Sequence, residues 1–376
     1  MVGATAGHDP ADIVIAGGGF AGALLALVLG RQGRTVNVID LHAPYPSDFR
    51  CEKFNPVQAD LLRDLGVQDC FHGAGLAHEG LRYETMVNAL RDRWPENVRF
   101  VLGRAVGLTT GDDIQTVRLA DGRDIRGRLL AVATGQGEKL RAALGVRRRV
   151  IRERQSLSVG FSLVRRDGAP FAFRSLVRQG QRSGDRIAFA NLFPIGEAMR
   201  INLFTYHDAQ EAWTLALRAD PIAVLLDTLP GLDSALGEVA LAAPVEIRCV
   251  DLYTSEGHVQ PGTVLLGDAF ATSCPATGMG VTRILTEVRQ LAQVYVPAWF
   301  ATPGMSQDKI ACFYADPAKR GFERLSLRRS NTGRGVAVET SLAWRAYRGA
   351  VRLKRAARLW AAGLMVRRRD PAQSAR

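Results

Sequence analysis

The stretch that decides the fold is Asp12-Ile-Val-Ile-Ala-Gly-Gly-Gly-Phe-Ala-Gly22. An Ala-, Leu- and Val-rich segment with helical spacing follows it, and the chain then reads Thr35-Val-Asn-Val-Ile-Asp40. An apolar run, a glycine turn, a helix and a second apolar run in this order are typical of a βαβ unit that binds a dinucleotide. The sequence therefore predicts an α/β sheet that carries a nucleotide at this turn.

The glycines of this turn have different physical tasks. Gly17 permits the tight turn out of the strand, Gly19 lets the backbone approach a pyrophosphate, and Gly22 lets the helix pack closely on the strand. The pyrophosphate is expected at the positive N-terminal end of the helix. Asp40 ends the second strand, where a carboxylate accepts hydrogen bonds from a ribose diol. The cofactor-binding residues predicted here are Gly17, Gly19, Phe20, Ala21, Gly22 and Asp40.

A second motif lies far downstream. Residues 263–269 form a short apolar strand that ends in Gly267-Asp268, and Pro275-Ala-Thr-Gly-Met-Gly280 then opens a helical pattern. A helix N-terminus with free N–H groups stabilises the negative charge that a reduced flavin carries. A nicotinamide-binding fold without flavin explains the first motif and gives no role to the second, so the two together predict FAD. The residues predicted to bind FAD here are Gly267, Asp268, Pro275, Gly278, Met279 and Gly280.

Together the two motifs resemble those of the group A flavoprotein monooxygenases, the para-hydroxybenzoate hydroxylase-like family. The resemblance implies that Asp268 binds the ribityl chain and that the Gly278 turn faces the N1/C2 carbonyl edge of the flavin. It also implies that Arg50 contacts the FAD pyrophosphate. Gly135 matches a position that serves FAD and NADPH binding in the family. Geranylgeranyl reductase-like relatives share the same motifs.

The chain departs from the family pattern at four positions. Thr134 stands in place of an aspartate and Glu138 in place of a serine, in the segment that serves NADPH binding. Ala271 stands where a histidine is common, and Thr282 where an asparagine or aspartate is common. NAD(P)H as the electron donor and a separate flavin reductase therefore both stay open.

The predicted fold class is α/β, with a Rossmann-type FAD-binding domain, an inserted antiparallel-sheet substrate domain and a C-terminal helical tail. Period-two alternation between turn residues predicts antiparallel strands, at 156–164, 171–177, 186–193 and 198–204. Helices are predicted at 57–66, 83–90, 209–217 and 221–229, and further strands at 98–102, 116–119, 124–130 and 245–252. The FAD-binding domain is assigned to 1–75, 96–154 and 247–300, the substrate domain to 76–95 and 155–246, and the helical region to 301–376.

Composition limits the alternatives. The 376 residues are 47% hydrophobic, which suffices for a large core split into two domains. Five scattered cysteines and six histidines without metal-ligand spacing predict neither a disulfide framework nor a metal site. The net charge of +12 favours acidic partners, but no nucleic-acid motif accompanies it. Glycines interrupt the apolar run 13–29, so we expect no membrane span or signal peptide and a cytoplasmic protein.

The resemblance implies a monooxygenase that acts on an aromatic or hydrophobic small molecule with dioxygen, through a flavin C4a-hydroperoxide. The alternatives are an FAD-dependent reductase, dehydrogenase or cyclase of an isoprenoid or lipid-like substrate, and a flavin-binding protein without turnover. None of the five tryptophans lies in the Trp-x-Trp-x-Ile-Pro segment of the halogenases.

No compact acid/base constellation is expected in such an enzyme, and catalytic residues stay unassigned. Cys274 and Cys51 lie next to predicted flavin-binding residues and are interpreted as small packing residues. Tyr206 and His207 follow the last predicted strand of the substrate sheet and are weaker candidates for a substrate contact.

The tail from 340 to 369 has no acidic residue and many arginines. At 100° per residue, Ala346, Ala350 and Leu353 share one face, and Arg345 and Arg348 lie on another. Two interpretations remain: a helix packed on its own flavin domain, or a peripheral contact with an anionic membrane at the inner face.

Overall fold

The computed structural model describes residues 9–71, 80–351 and 353. Most of the predicted tail helix at 340–369 lies outside the described residues, as do residues 76–79 of the assigned substrate domain.

The strands, in chain order, are β1 (Ala11–Ala16), β2 (Val36–Asp40), β3 (Cys51–Glu52), β4 (Leu81–Arg82), β5 (Val98–Leu102), β6 (Ala105–Thr109), β7 (Gln115–Leu119), β8 (Asp124–Val132), β9 (Arg147–Arg165), β10 (Leu176–Gln179), β11 (Ile187–Ile195), β12 (Ala198–Thr205), β13 (Val239–Glu256) and β14 (Thr263–Leu265).

The α-helices are α1 (Phe20–Arg31), α2 (Pro56–Asp64), α3 (Tyr83–Arg91), α4 (Lys139–Ala143), α5 (Ala212–Ala219), α6 (Pro221–Thr228), α7 (Asp233–Leu236), α8 (Met279–Gln290), α9 (Val296–Phe300), α10 (Gln307–Ala315) and α11 (Pro317–Val338). A π turn at Leu291–Tyr295 joins α8 to α9, and 3₁₀ turns lie at Gln68–Phe71, Ser183–Asp185, Gly267–Ala269 and Pro275–Thr277. A further helix covers 342–351.

The first sheet is mainly parallel, with strand order β5-β2-β1-β8-β7-β6. Strand β8 pairs in parallel with β1 and, through Leu130–Val132, with β14, while β6 and β7 complete an antiparallel meander on its first half. Helix α1 is buried from Phe20 to Gly30, because a helix that is apolar all round must be covered on every side. Among the described residues, no helix is long and apolar enough to cross a membrane.

The second sheet is antiparallel, with order β10-β11-β12-β9-β13. One face packs on α5 and α6 around a core that includes Phe161, Leu192 and Leu203. Strands β9 and β13 are unusually long and stay paired to their ends, Arg147 with Glu256. Arg154 has a left-handed backbone (φ +44°), and β13 shifts register between Val250 and Leu252, so both strands are irregular at the same level.

The C-terminal helices complete the flavin-side core. Ile310 and Phe313 of α10 are fully buried in the same cluster as α1 and β1. The following helix, 342–351, contacts α11 through few side chains: the Trp344 ring lies against Gly335, and the Arg348 guanidinium donates to the Glu339 carbonyl at 2.7 Å. Arg348, expected on a solvated basic face, thus lies on the packed side of this helix.

The predicted fold class is confirmed: a parallel sheet with helices, a separate antiparallel sheet and C-terminal helices. The strand predicted at 171–177 is largely wrong, because only Leu176–Gln179 is paired. The Phe171 and Phe173 rings lie 6.0 Å apart and pack on the core of the antiparallel sheet. The predicted domain boundaries at 154/155 and 246/247 fall inside the continuous strands β9 and β13.

Candidate active site

One large cavity, about 1190 Å³ in volume, lies between the two sheets. Its lining includes eleven of the residues predicted to bind the cofactor, namely Gly17, Gly19, Phe20, Ala21, Asp40, Arg50, Gly135, Asp268, Pro275, Gly278 and Gly280. The structure thus brings residues from the start, the middle and the far end of the chain to one site. The remaining three, Gly22, Gly267 and Met279, are buried beside it.

The glycine turn has the geometry that its sequence predicts. Gly17 is left-handed (φ +101°), and a Cβ there would lie 2.6 Å from the Ala133 carbonyl oxygen. A Cβ on Gly22 would lie 1.9 Å from the Gly17 carbonyl oxygen, so only glycine permits this helix-to-strand contact. Gly19 caps α1 without a side-chain hydrogen bond. The N-terminus of α1 therefore presents backbone N–H groups to the cavity.

Asp40 is fixed by the turn it faces. Its carboxylate accepts from the Gly18 N–H at 2.6 Å and from the His42 N–H at 3.0 Å, and lies 3.3 Å from the Arg91 guanidinium. Arg91, nearly buried, also donates to the carbonyls of Gly18 and Ala43. Sequence reasoning missed Arg91, which ends α3 about fifty residues after Asp40 and ties the glycine turn to the loop after β2.

Arg50 lies in the cavity and stacks on an aromatic ring. Its guanidinium is 3.5 Å from the centre of the Tyr83 ring and 2.8 Å from the Asp48 carboxylate. The Tyr83 hydroxyl accepts from the Phe20 N–H at 3.2 Å, at the start of α1. Burial raises the pKa of Tyr83 to about 12. Tyr83 therefore stays neutral and positions Arg50 beside the helix N-terminus where a pyrophosphate is expected.

Asp268 faces the cavity from the second motif. Its carboxylate accepts from the Gln136 amide at 3.3 Å, and its backbone carbonyl accepts from the Tyr253 hydroxyl at 2.5 Å. Burial raises the pKa of Asp268, while the hydrogen bond from Gln136 and the positive charge of Arg283 oppose the shift. A carboxylate on the cavity wall that has a single weak donor among the described residues is suited to accept a hydrogen bond from a ligand hydroxyl.

A buried ion pair supports this motif from behind. Glu287 of α8 accepts from the Gly267 N–H at 2.7 Å and lies 2.5 Å from the Lys319 ammonium of α11. The Lys319 ammonium also lies 4.1 Å from the centre of the Phe270 ring, with the Tyr314 ring 5.5 Å away. We refer to Gly267, Glu287 and Lys319 as the flavin-turn tether. Sequence reasoning missed it, although the departure from the family pattern at Ala271 lies next to Phe270 and was a signal.

Helix α8 presents a second free N-terminus. Gly278 is left-handed (φ +63°) and caps the helix without a side-chain hydrogen bond. Thr282, which replaces an asparagine or aspartate, accepts from the Gln58 amide at 3.1 Å and so joins α8 to α2. Met279 is buried and is not among the residues that line the cavity, so its role in cofactor binding stays a prediction.

The loop after β8 closes one side of the cavity. Thr134, Gly135 and Glu138 line it, and Gly135 is left-handed (φ +58°). Behind the loop, Arg141 is fully buried, 3.7 Å from the Glu138 carboxylate, and Arg148 lies 3.2 Å from the same carboxylate. The glutamate that replaces the family serine is thus shared by two guanidinium groups.

The antiparallel sheet supplies the apolar part of the cavity. Phe189 and Phe204 are paired across β11 and β12, with ring centres 4.9 Å apart, and Phe193 lies on the same face. Between them, Asn202 donates to the Cys51 carbonyl at 2.9 Å. The Asn191 side-chain oxygen is buried and, within the described residues, has no hydrogen-bond donor.

The four weaker candidates have different surroundings. Cys51 lines the cavity, and burial raises the pKa of its thiol to about 11, which makes it an unreactive packing residue at neutral pH. Cys274 is fully buried, 3.5 Å from the Ser156 hydroxyl, in a small cluster that includes Tyr206. His207 stacks on Trp213, 2.8 Å from the Glu211 carboxylate. Among the described residues, no group of three or more His, Cys, Asp or Glu side chains is placed to hold a metal.

These residues fit FAD. Two uncapped helix N-termini and Arg50 suit its phosphates and the flavin carbonyl edge, while Asp40 and Asp268 suit its ribose and ribityl hydroxyls. The groups expected to face phosphates are donors, and the groups expected to face hydroxyls are acceptors.

Comparisons with known proteins agree with this fit. Residues 10–120 match a family model described as an FAD binding domain. Over 327 residues the chain is 25% identical to the 3-demethoxyubiquinol 3-hydroxylase of Escherichia coli (strain K12), covering 77% of this chain and 81% of that protein.

Two solved structures share the fold. The p-nitrophenol 4-monooxygenase PnpA from Pseudomonas putida DLL-E4 has a TM-score of 0.71 at 17% identity, and the match covers 91% of this chain and 93% of that one. The flavin-dependent brominase Bmp2 has a TM-score of 0.62 at 16% identity, covering 87% and 85%. The predicted resemblance to the para-hydroxybenzoate hydroxylase-like superfamily and the prediction of an FAD-dependent oxidoreductase are confirmed.

Proposed function

We propose that this protein, an FAD-dependent oxidoreductase of the para-hydroxybenzoate hydroxylase-like superfamily, is a monooxygenase that hydroxylates an aromatic or other hydrophobic small molecule. The observation that carries the proposal is that a single cavity joins both flavin motifs to a sheet face bearing Phe189, Phe193 and Phe204. Bound FAD would supply the oxygen chemistry, since reduced flavin reacts with dioxygen. The protein then has to bind, orient and keep water away from an apolar substrate.

The cavity divides naturally between the two ligands. Asp40, Arg50 and Asp268 surround the part beside the parallel sheet, and we assign it to the cofactor. The phenylalanine face lies on the antiparallel sheet, and aromatic side chains with few polar groups favour an apolar ring or chain there. The name of the Escherichia coli relative designates a ubiquinol hydroxylase, which is consistent with a lipid-like ring substrate.

The domain division and the site residues of the sequence analysis are part of this proposal. The FAD-binding domain comprises 1–75, 96–154 and 247–300, the substrate domain 76–95 and 155–246, and the helical region 301–376. Strands β9 and β13 run through two of these boundaries and would connect the domains as a two-stranded ribbon.

Oxygen chemistry is tested by mixing the chemically reduced holoenzyme with oxygenated buffer. We expect a transient near-UV absorbance that differs from that of oxidised flavin, as a C4a-hydroperoxide gives. Aromatic ligands should change the lifetime of this transient. Direct reappearance of oxidised flavin, with and without a ligand panel, would instead favour the alternative function, a reductase, dehydrogenase or cyclase of an isoprenoid or lipid-like molecule.

The electron donor is proposed separately. Thr134 and Glu138 line the cavity where the family pattern has other residues, so we expect NADPH alone to reduce the flavin slowly and a flavin reductase to be the efficient donor. Anaerobic mixing with NADPH, followed at the flavin absorbance band, measures this. Rapid complete reduction without a reductase would contradict the expectation.

The last part of the proposal concerns location. We propose a cytoplasmic protein whose residues 340–369 make a peripheral contact with the inner face of the membrane. In the described portion, Leu342 and Leu353 are 79% and 73% exposed, on the side away from the packed Trp344. Arg345 flanks this apolar stripe, an arrangement that suits anionic lipid. Binding to phosphatidylserine vesicles should fall with salt and be lost on truncation at residue 340, with FAD retained. Truncation that yields insoluble or flavin-free protein would show the segment to be structural.

A further inference from the structure

Glu52 is one of the charged residues that line the cavity. It belongs to the short strand β3, which pairs with β4, and it follows Arg50 by two residues. The antiparallel sheet contacts the same segment, because Asn202 of β12 donates a hydrogen bond to the carbonyl of Cys51, the residue before Glu52. Glu52 is thus carried by backbone anchored both to the cofactor part and to the phenylalanine face.

The Glu52 carboxyl has no hydrogen-bond or ion-pair partner among the described residues. Its neighbours act only through longer-range charge. Burial raises its pKa to about 7, against a smaller lowering by Arg50 and a raising by Asp48. The other charged groups on the cavity wall are Lys53, Arg104, Lys139, Glu138, Arg248, Asp40 and Asp268. A carboxyl group left unpaired in such a site is available to a ligand.

A second acceptor faces the same space. The side-chain oxygen of Asn191 is buried without a donor, whereas the oxygen of the paired Asn202 already accepts from Arg200 at 3.0 Å. Arg200 is held in turn by the Phe49 carbonyl, so it is not free to turn towards Asn191. Within the described residues, the cavity therefore offers two unused acceptors, which fit a ligand that carries hydrogen-bond donors on an apolar ring.

We propose that Glu52 is the catalytic base of this site, and that it takes the proton of a hydroxyl group on the substrate ring while Asn191 accepts a second donor. The inference rests on the proposed monooxygenase function. In the step, the substrate O–H bond breaks, a new O–H bond forms on the Glu52 carboxylate, and the electron pair stays on the substrate oxygen. The resulting phenolate is more electron-rich at its ring carbons, which favours attack by an electrophilic oxygen. A base whose pKa lies close to the operating pH transfers protons efficiently.

The test uses p-nitrophenol as a chromogenic probe, because its phenolate is yellow and its neutral form is nearly colourless. The probe is bound to the oxidised holoenzyme, and its phenolate absorbance is titrated between about pH 6 and pH 9 in the wild type, Glu52→Gln and the control Glu153→Gln. Glu153 is an exposed glutamate of β9. Because a second acidic group beside the hydroxyl opposes its ionisation, we expect the phenolate to appear at a higher pH in the wild type and the control than in Glu52→Gln.

A second measurement detects the carboxyl group of Glu52 directly and does not depend on binding of the probe. Infrared difference spectra of the holoenzyme between about pH 6 and pH 8 should contain a protonated-carboxyl band that Glu52→Gln lacks. FAD content and thermal stability are compared with those of the control, so that a folding defect is recognised. Identical probe titrations in the wild type and Glu52→Gln overturn the inference, and if the wild type binds no probe, absence of the infrared band does so.

Failure of this inference is separable from failure of the proposed function. Phenolate formation that depends on Glu52, without a transient oxygen adduct, would leave Glu52 as the base of a different flavin reaction. An oxygen adduct with unchanged probe behaviour in Glu52→Gln would leave the monooxygenase and remove Glu52 from its chemistry.

Discussion

Replacing Lys319 by Met should strongly destabilise the protein, although Lys319 is not among the residues that line the cavity. The side chains of Lys319 and Glu287 are only 2% and 3% exposed, and the ammonium lies 2.5 Å from the carboxylate. Glu323, 30% exposed, lies 3.0 Å from the same ammonium. Methionine fills a similar volume but leaves the Glu287 carboxylate buried without a cation. Removing one partner of such a pair costs about 3–5 kcal/mol.

The double variant Lys319→Met/Glu287→Gln separates charge from packing. Glutamine keeps a side-chain oxygen for the Gly267 N–H and removes the orphaned charge. Because a buried ion pair can be replaced by neutral groups at small net cost, we expect the double variant to lie within about 2 kcal/mol of the wild type. Arg63→Met breaks the exposed Asp60–Arg63 pair and serves as the control, with a cost below about 1 kcal/mol.

Urea unfolding in excess FAD, followed by far-UV circular dichroism and by flavin release, measures the free energy of unfolding of each variant. A loss below about 1 kcal/mol in Lys319→Met would refute the reasoning. So would a double variant no more stable than the single one, since the penalty would then come from packing and not from the unpaired carboxylate.

Three further outcomes are expected. Asp268→Ala should weaken FAD binding roughly tenfold to a hundredfold, because a charge-assisted hydrogen bond to a hydroxyl is worth about 1.5–3 kcal/mol, and equilibrium dialysis with FAD that finds unchanged affinity would remove Asp268 from the site. Gly22→Ala should yield flavin-free or insoluble protein, since its Cβ would lie 1.9 Å from the Gly17 carbonyl oxygen, whereas Gly321→Ala, with open space around its Cβ, should fold normally; flavin content and solubility compare them. The pKa of Glu52 is raised from 4.5 to about 7 in the folded state, so its contribution to stability is present below about pH 4.5 and is lost as the pH rises through about 7. Urea midpoints of Glu52→Gln should accordingly fall less than those of the wild type over that range, and parallel pH profiles would argue against an elevated pKa.

The sequence predicted best those features that a short stretch of backbone determines. The spacing of Gly17 and Gly22 specifies a turn and a close helix contact, and both are found with the expected geometry. The Gly267-Asp268 turn and the uncapped helix at Gly278 likewise follow from local residue types. Such features need no knowledge of distant partners.

What the sequence did not reveal depends on residues that meet only in the folded chain. Arg91 reaches Gly18 across 73 positions, and Lys319 reaches Glu287 across 32. Glu52 stands two residues after the predicted Arg50, yet its significance is that its carboxyl group has no hydrogen-bond partner in the described part of the chain, a property visible only once its neighbours are placed. At 171–177 the aromatic alternation indicated a strand, but Phe171 and Phe173 are used for packing on the sheet core instead.

The position of β14 in the parallel sheet sets an order for biosynthesis. This strand, Thr263–Leu265, pairs with β8 only after the whole antiparallel sheet, from β9 to β13, has left the ribosome. The antiparallel sheet can form from neighbouring hairpin partners as it emerges, whereas the edge of β8 beside β14 stays unpaired until then. The flavin pocket is therefore completed late in translation. Chains that end before residue 263 would lack the second flavin motif and expose a sheet edge, which makes them substrates for chaperones and proteases.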